Sequence, residues 1–194
     1  MWDNQCEFLN GLIRKYRPKK ILEIGIAKGG SSIIILNAIK DIENSHLYSV
    51  DLISSEEIGS CVKNIFPNLL DKWTLYKGNI TVKFIEEIGE EIDMVFIDSA
   101  HLEPGEILDF LIILPFLKEN AIVAFHDIAN QMRFWGNKNT RREYAPYITF
   151  NIIRGGKLFP SGDKILTHDI GAIELEKKQY KYANDYFRAL GGQW

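Results

Sequence analysis

The sequence predicts an α/β fold in which a mostly parallel sheet carries helices on both faces. Between Lys20 and Phe125, segments that indicate strands alternate with segments that indicate helices, a pattern typical of parallel sheets. The candidate strands are continuous apolar runs, as expected for strands buried on both faces. Polar residues follow the ends of successive strands, where open α/β sheets bind their ligands.

The spacing of apolar residues, together with prolines and capping residues, predicts the individual elements. Apolar residues recur at helical spacing before Pro18 and predict an N-terminal helix within residues 1–18. Strands are predicted at Lys20–Gly25, His46–Asp51, Trp73–Lys77, Asp93–Asp98 and Ala121–Phe125. The helices between them are predicted at Ser32–Ile39, from a Ser54 and Glu57 capping box to Phe66, at Thr81–Ile88, and at Pro104–Lys118.

The alternation ends after the fifth predicted strand. Residues 128–146 form an irregular polar and aromatic segment that is expected to face the substrate. Two further strands, at Tyr147–Ile153 and Ile170–Leu175, are predicted to pair as an antiparallel hairpin across a Gly-rich connection. A last helix is predicted at Glu176–Leu190.

Composition disfavours several classes of function. The net charge is −3 and basic residues occur only in short groups, so no nucleic-acid partner is expected. No apolar run approaches the roughly 18 residues of a membrane span, and no signal-peptide pattern is present, so we expect a cytoplasmic protein without a membrane partner. Cys6 and Cys61 lack the spacing of metal sites or disulfide frameworks. One domain over residues 1–194 is expected.

The stretch ILEIGIAKGGSS, residues 21–32, joins the first predicted strand to the first helix through a glycine turn. Such a turn lets a ligand approach bare backbone, and the helix that follows offers unpaired N–H groups. A dinucleotide site requires G-x-G-x-x-G, but Ala27 replaces the second glycine. The spacing of Glu23, Gly25 and Gly29 fits S-adenosylmethionine, a phosphate-free cation, and Ser31 belongs to the same candidate site. Plain strand-to-helix packing is the alternative.

Further strand ends carry side chains that fit the same cofactor. Asp51 closes the second strand, where a carboxylate can accept hydrogen bonds from both ribose hydroxyls. Asn79 and Ile80 follow the third strand, where an amide and an apolar side chain can meet adenine. Asp98 closes the fourth strand. Four polar groups at four successive strand ends indicate a shared ligand site.

Five segments, in order, resemble the class I S-adenosylmethionine-dependent methyltransferases: ILEIGIAKGGSS, LYSVD, KGNI, DMVFIDSAH and AIVAFHD. The resemblance covers Lys20 to Asp127, and DIGAIEL is similar to the last strand of that fold. It implies a Rossmann-like, doubly wound, seven-stranded sheet with strand order 3-2-1-4-5-7-6 and strand 7 antiparallel. The cofactor motif of the family carries over to Glu23, Gly25, Gly29, Asp51 and Asn79.

The DSAH sequence at the end of the fourth strand is most similar to catechol O-methyltransferase and the bacterial small-molecule and sugar O-methyltransferases, of the methyltransferase family 24 type. The resemblance implies that Asp98 binds a divalent ion such as Mg²⁺, with His126 and Asp127 completing the site. It places His101 where the relatives have a lysine base. From the residues alone, His101 or His126 can take the hydroxyl proton, and either can be structural.

These observations lead to one interpretation with two alternatives. The chain is interpreted as an S-adenosylmethionine-dependent methyltransferase that O-methylates a small-molecule or sugar hydroxyl. The alternatives are a nucleotide-dependent oxidoreductase with a Rossmann-like fold and a module that binds S-adenosylmethionine without catalysis. Because the N-terminal segment is short for a lid, a homo-oligomer is also considered, in which another subunit completes the acceptor pocket.

Overall fold

Seven strands form one mixed sheet in the computed structural model, which describes residues 1–99, 104–129, 145–161 and 169–189. The strands are β1 Lys20–Ile24, β2 His46–Asp51, β3 Trp73–Lys77, β4 Ile92–Ile97, β5 Leu117–His126, β6 Gly155–Leu158 and β7 Ile170–Leu175. The α-helices of the described ranges are α1 Asp3–Tyr16, α2 Gly30–Ile39, α3 Ser60–Ile65, α4 Ile85–Ile88, α5 Gly105–Ile113, α6 Ala145–Ile152 and α7 Ala183–Ala189. Short 3-10 helices occupy Pro67–Lys72, Thr81–Lys83, Leu114–Phe116 and Gln179–Tyr182.

The strand order is β3-β2-β1-β4-β5-β7-β6, which confirms the predicted sheet. Strands β1 to β5 are parallel, whereas β7 pairs antiparallel with β5 and β6 pairs antiparallel with β7. Ile24 at the end of β1 pairs with Val50 of β2 and Ile97 of β4. The residues that follow these three strands therefore meet at one edge of the sheet, beside the reversal of strand order.

Apolar layers cover both faces of the sheet because alternate strand residues point to opposite sides. Leu22 and Val95 belong to the layer that contains Phe110 of α5. Ile21 and Phe96 belong to the layer formed with α1 and α2. No α-helix in the described part of the chain combines the length and the apolar character needed to cross a lipid bilayer.

The predicted strand at Tyr147–Ile153 is wrong, because this segment forms helix α6. Its β-branched and aromatic residues favour a strand by propensity, which packing readily overrides. Thr149, Phe150 and Ile153 are buried at helical spacing, and Phe150 packs edge-on against Phe125 of β5. The hairpin partner of β7 is β6, which lies within the predicted Gly-rich connection.

The capping-box prediction at Ser54 and Glu57 is also wrong, since α3 begins only at Ser60. The preceding Gly59 adopts a left-handed conformation with φ 70°. Its N–H donates to the Ala27 carbonyl at 2.9 Å, so the backbone before the helix is held against the glycine turn.

Other predicted helices are shortened or divided, among them Thr81–Ile88, which forms a 3-10 turn at Thr81–Lys83 followed by α4. The helix after Pro104 stops at Ile113 and continues as a 3-10 turn, and the last helix divides into a 3-10 turn and α7. Of the segment predicted to be irregular, residues 130–144 lie outside the described ranges, and Ala145 and Pro146 belong to α6.

Asp93 ties three strands together at the opposite, amino edge of the sheet. Its Oδ2 atom accepts the backbone N–H groups of Lys19 and Lys20, each at 2.8 Å, and its Oδ1 atom accepts from the Lys118 ammonium at 2.9 Å. Burial raises the pKa of Asp93. The hydrogen bonds from Lys118 and the two backbone donors lower this pKa by more than burial raises it, so the pKa lies below its ordinary value of 3.8.

We expect Asp93→Ala to lower the free energy of unfolding by about 2 kcal/mol at pH 7, because two backbone N–H groups and the Lys118 ammonium lose a charged acceptor. A pKa lowered by folding contributes stability above pH 3.8 that is lost as the pH falls through the folded value. Urea unfolding from pH 7 to pH 3 should therefore show the difference shrinking in acid. The exposed Asp41→Ala serves as the control. A constant difference across this range would contradict the assigned ion pair.

Candidate functional site

The carboxyl edge of β1, β2, β4 and β5 brings together most of the residues that the sequence analysis selected. The glycine turn follows β1, Asp51 ends β2, and Asp98 follows β4. His126 ends β5, and Asp127 comes next. His101 lies outside the described residues, so its predicted role stays a prediction.

Gly25 is required by the neighbouring strand end. Its φ is +85°, and a Cβ atom added there would lie 2.0 Å from the carbonyl oxygen of Asp98. The backbone N–H of Asp98 donates to the Ile24 carbonyl at 2.9 Å, which holds the two strand ends side by side. Backbone packing therefore explains this glycine, and a ligand's approach to the turn is an additional prediction.

Gly29 is similarly constrained at the start of α2. It has φ +95°, and an added Cβ would lie 3.3 Å from the Cα atom of Gly59. Gly29 and Gly59 thus allow the glycine turn and the segment before α3 to pass close to each other. As at Gly25, the predicted cofactor contact stays a prediction.

Glu23 is a completely buried carboxyl group held by three serines. Its Oε1 atom accepts from Ser31 Oγ at 2.5 Å, and its Oε2 atom accepts from Ser32 at 2.6 Å and Ser49 at 2.7 Å. Burial raises the pKa of Glu23, and the hydroxyl donors offset only part of that rise. Glu23 and Ser31 therefore connect β1 to α2, and in this arrangement any effect of Glu23 on a cofactor would be indirect.

Asp51 organises the backbone of the glycine turn. Its Oδ2 atom accepts the N–H groups of Ile26 and Ala27, both at 3.0 Å, while Oδ1 accepts the N–H of Ile53 at 2.9 Å. These bonds hold Ala27 at a positive φ of 48°. Since a carboxylate oxygen has two lone pairs, Oδ1 retains capacity for a further donor.

Exposed apolar side chains flank Asp51 at the same edge. Leu52, Ile53 and Ile80 are 66%, 59% and 50% exposed. The exposed Asn79 uses its Oδ1 atom to accept the N–H of Ile80 at 3.0 Å. The predicted contact of Asn79 and Ile80 with adenine stays a prediction.

Asp98, His126 and Asp127 form a second group, here called the carboxylate–histidine cluster. His126 Nδ1 lies 3.3 Å from Asp98 Oδ1 and 3.4 Å from Asp127 Oδ1. One candidate ligand atom from each residue lies within 4.8 Å of the others, a spacing compatible with one metal ion. Burial lowers the pKa of His126, but Asp127 and Asp98 together raise it to about 9.

Gln5 contacts the second ring nitrogen of this histidine. The sequence analysis did not select Gln5. Its Oε1 atom lies 3.3 Å from His126 Nε2, and the side chain is 1% exposed. The available signal was its place in the apolar stripe of the first helix, four residues before the buried Leu9 and seven before Leu12. A polar side chain in such a stripe requires a partner.

Comparison with known proteins adds a family and a fold. The chain matches the model of a family described as a methyltransferase domain over residues 22–128, more than half of its length. No curated protein matches it.

Solved structures share the fold at low sequence identity. The O-methyltransferase TomG from Streptomyces achromogenes, solved with S-adenosylmethionine, is 16% identical with a TM-score of 0.68, covering 90% of this chain and 81% of TomG. An O-methyltransferase from Bacillus cereus, solved with S-adenosylhomocysteine, is 19% identical with a TM-score of 0.69, covering 90% and 82%. The S-adenosylhomocysteine-bound methyltransferase PaMTH1 from Podospora anserina is 18% identical with a TM-score of 0.66, covering 89% and 78%.

The family match and the sheet order agree with each other and decide against the oxidoreductase alternative. The matched residues include the glycine turn, Asp51 and the carboxylate–histidine cluster. The chain belongs to the methyltransferase-domain family, and its fold is that of the class I S-adenosylmethionine-dependent methyltransferases.

Proposed function

We propose that this enzyme methylates a hydroxyl oxygen of a small molecule or sugar, with a divalent cation held by the carboxylate–histidine cluster. The observation that carries the proposal is the position of this cluster, at the ends of β4 and β5 beside the Gly25 turn. Two of the structural relatives described above are O-methyltransferases, and one was solved with S-adenosylmethionine, which supports the same reaction and cofactor.

The cofactor site is proposed to lie along the ends of β1 to β3. Asp51 Oδ1 is available to accept a ribose hydroxyl, and the exposed Leu52 and Ile80 offer an apolar surface to adenine. Glu23 supports this site indirectly, because it accepts hydrogen bonds from Ser31 and Ser32 at the start of α2. S-adenosylmethionine would supply the methyl group on its sulfonium, while the chain aligns the acceptor with it.

The donor set of the carboxylate–histidine cluster fits a divalent cation. Within the described ranges, the buried Nδ1 atom of His126 makes no hydrogen bond of good geometry although it faces two carboxylates. One nitrogen and two oxygens suit Mn²⁺ or Zn²⁺ as well as Mg²⁺. A cation bound there would stabilise negative charge on the acceptor oxygen.

We assign to His101 the role of the base that takes the proton from the acceptor hydroxyl. Both ring nitrogens of His126 face protein oxygen atoms, so its geometry favours holding a cation over accepting the acceptor's proton. His101 follows Asp98 by three residues, the offset at which the resemblance places a base. Imidazole titrates near neutral pH and suits that transfer.

Asp98→Asn should weaken Mn²⁺ binding at least about tenfold, because a charged ligand becomes a neutral amide. Isothermal titration calorimetry on the purified variant measures this change directly, and Glu90→Gln, at an exposed position, is the control. Chelation of wild-type protein should abolish methyl transfer, and added Mn²⁺ or Mg²⁺ should restore it. Unchanged Mn²⁺ affinity in Asp98→Asn would remove this residue from the metal site.

Asp51→Ala should weaken S-adenosylhomocysteine binding by about 1–3 kcal/mol, through loss of the ribose acceptor and of the bonds that shape the turn. Calorimetric titration of the ligand provides the measurement. Glu57→Gln, at an exposed side chain of the segment before α3, should bind as the wild type does. Equal affinities for Asp51→Ala and wild type would place the ribose elsewhere.

His101→Ala should slow methyl transfer by about 10²–10⁴-fold, the usual contribution of a general base. Affinity for S-adenosylhomocysteine should stay unchanged. The assay follows S-adenosylhomocysteine release with any hydroxyl compound that the wild type methylates in an acceptor screen. A wild-type rate would exclude His101 as the base, and cofactor binding without transfer to any acceptor would favour the non-catalytic alternative.

A further inference from the structure

The first turn of α1 reaches across the fold to the carboxylate–histidine cluster. Gln5 and His126 are 121 positions apart in sequence, yet Gln5 Oε1 lies 3.3 Å from His126 Nε2. Gln5 is 1% exposed, so this contact is shielded from water. A shielded contact between polar groups must be a hydrogen bond or it costs free energy.

The orientation of the Gln5 amide follows from a second contact. The backbone N–H of Trp2 donates to Gln5 Oε1 at 2.6 Å. Only the oxygen of an amide can accept this proton, so the oxygen, and not the NH₂ group, occupies the position beside His126. Because an acceptor cannot face another acceptor favourably, Nε2 of His126 carries a proton and donates it to Gln5.

This assignment determines which ring nitrogen is left to bind a cation. A neutral imidazole protonated at Nε2 has its lone pair on Nδ1. That atom lies 3.3 Å from Asp98 Oδ1 and 3.4 Å from Asp127 Oδ1, so the nitrogen and two carboxylate oxygens converge. A cation that binds between them displaces any proton from Nδ1, because a histidine ligand coordinates through a deprotonated nitrogen.

We infer that Gln5 is a positioning residue for the metal site: it holds His126 as the Nε2–H tautomer and directs Nδ1 toward the cation. The inference rests on the proposed function. Histidine ligands commonly donate their second N–H to a fixed acceptor, and loss of that acceptor typically lowers metal affinity 10–100-fold. Here the acceptor comes from the N-terminal helix, so the docking of α1 is part of the metal site.

Gln5 also contributes to the start of α1, which the experiment must separate from positioning. Gln5→Leu removes the acceptor while retaining a similar volume and helix propensity. Gln5→Glu retains an oxygen beside Nε2. Asn4→Leu, at the exposed neighbouring position, is the matched control for changes at the helix start. Thermal unfolding of each variant reports the structural contribution.

Mn²⁺ affinity is measured by calorimetry on the full chain. We expect Gln5→Leu to bind Mn²⁺ 10–100-fold more weakly than wild type, and Gln5→Glu and Asn4→Leu to remain within about threefold. Equal affinity in Gln5→Leu and wild type, with Asp98→Asn still impaired, would overturn the positioning role and leave the metal site intact. Absence of Mn²⁺ binding by wild-type protein would overturn both.

Nitrogen NMR tests the tautomer without altering Gln5. The chain has four histidines, and His126→Asn identifies the signals of His126 in ¹⁵N-histidine-labelled protein. With Zn²⁺ bound, Nε2 should remain a protonated nitrogen while Nδ1 shows the shift of a coordinated one. A proton on Nδ1, or coordination through Nε2, would overturn the inference even if Gln5→Leu failed to fold.

Discussion

The contact between the bare Cα of Gly25 and the carbonyl group of Asp98 is the constraint on which the site depends. A side chain at position 25 would occupy the place of that carbonyl, so the ends of β1 and β4 meet only because residue 25 is glycine. The same approach places the turn beside the carboxylate of Asp51, which accepts two of its N–H groups. From this packing follow the direction in which the chain enters α2 and the position of Asp98 at the boundary between the proposed cofactor and metal sites.

Each edge of the sheet buries charge, and each compensates that burial differently. At the amino edge, the partners of Asp93 include an ammonium group, and the carboxylate form is favoured. Beneath the carboxyl edge, the donors to Glu23 in the described part of the chain are hydroxyl groups, and burial works against its ionisation. In the carboxylate–histidine cluster, two acids face one imidazole, which favours positive charge between them. The ion pair of Asp93 thus lies away from the ligand edge, whereas two carboxylates and an imidazole converge on that edge.

Much of the fold could be predicted because strand periods, glycines and polar strand ends agree along most of the chain from Lys20 to His126. The errors occurred where long-range packing overrides local preference. The residues of α6 favour a strand by themselves, but Phe150 and Ile153 pack as a helix against the sheet. The backbone before α3 is held by Ala27, a contact that no local pattern encodes. Neighbouring strand ends could be inferred for Asp98, His126 and Asp127, whereas Gln5 joins them only through the docking of α1.

The start of α1 also bears on how the protein is prepared for study. Trp2 is 68% exposed, and its backbone N–H shares the Gln5 oxygen that faces His126. A purification tag fused ahead of Met1 would emerge within a few residues of the proposed metal site. An oligohistidine tag in that position would bring competing imidazoles beside the cluster, so protein released from its tag, or carrying an affinity handle without histidine, is the appropriate material for measuring metal content.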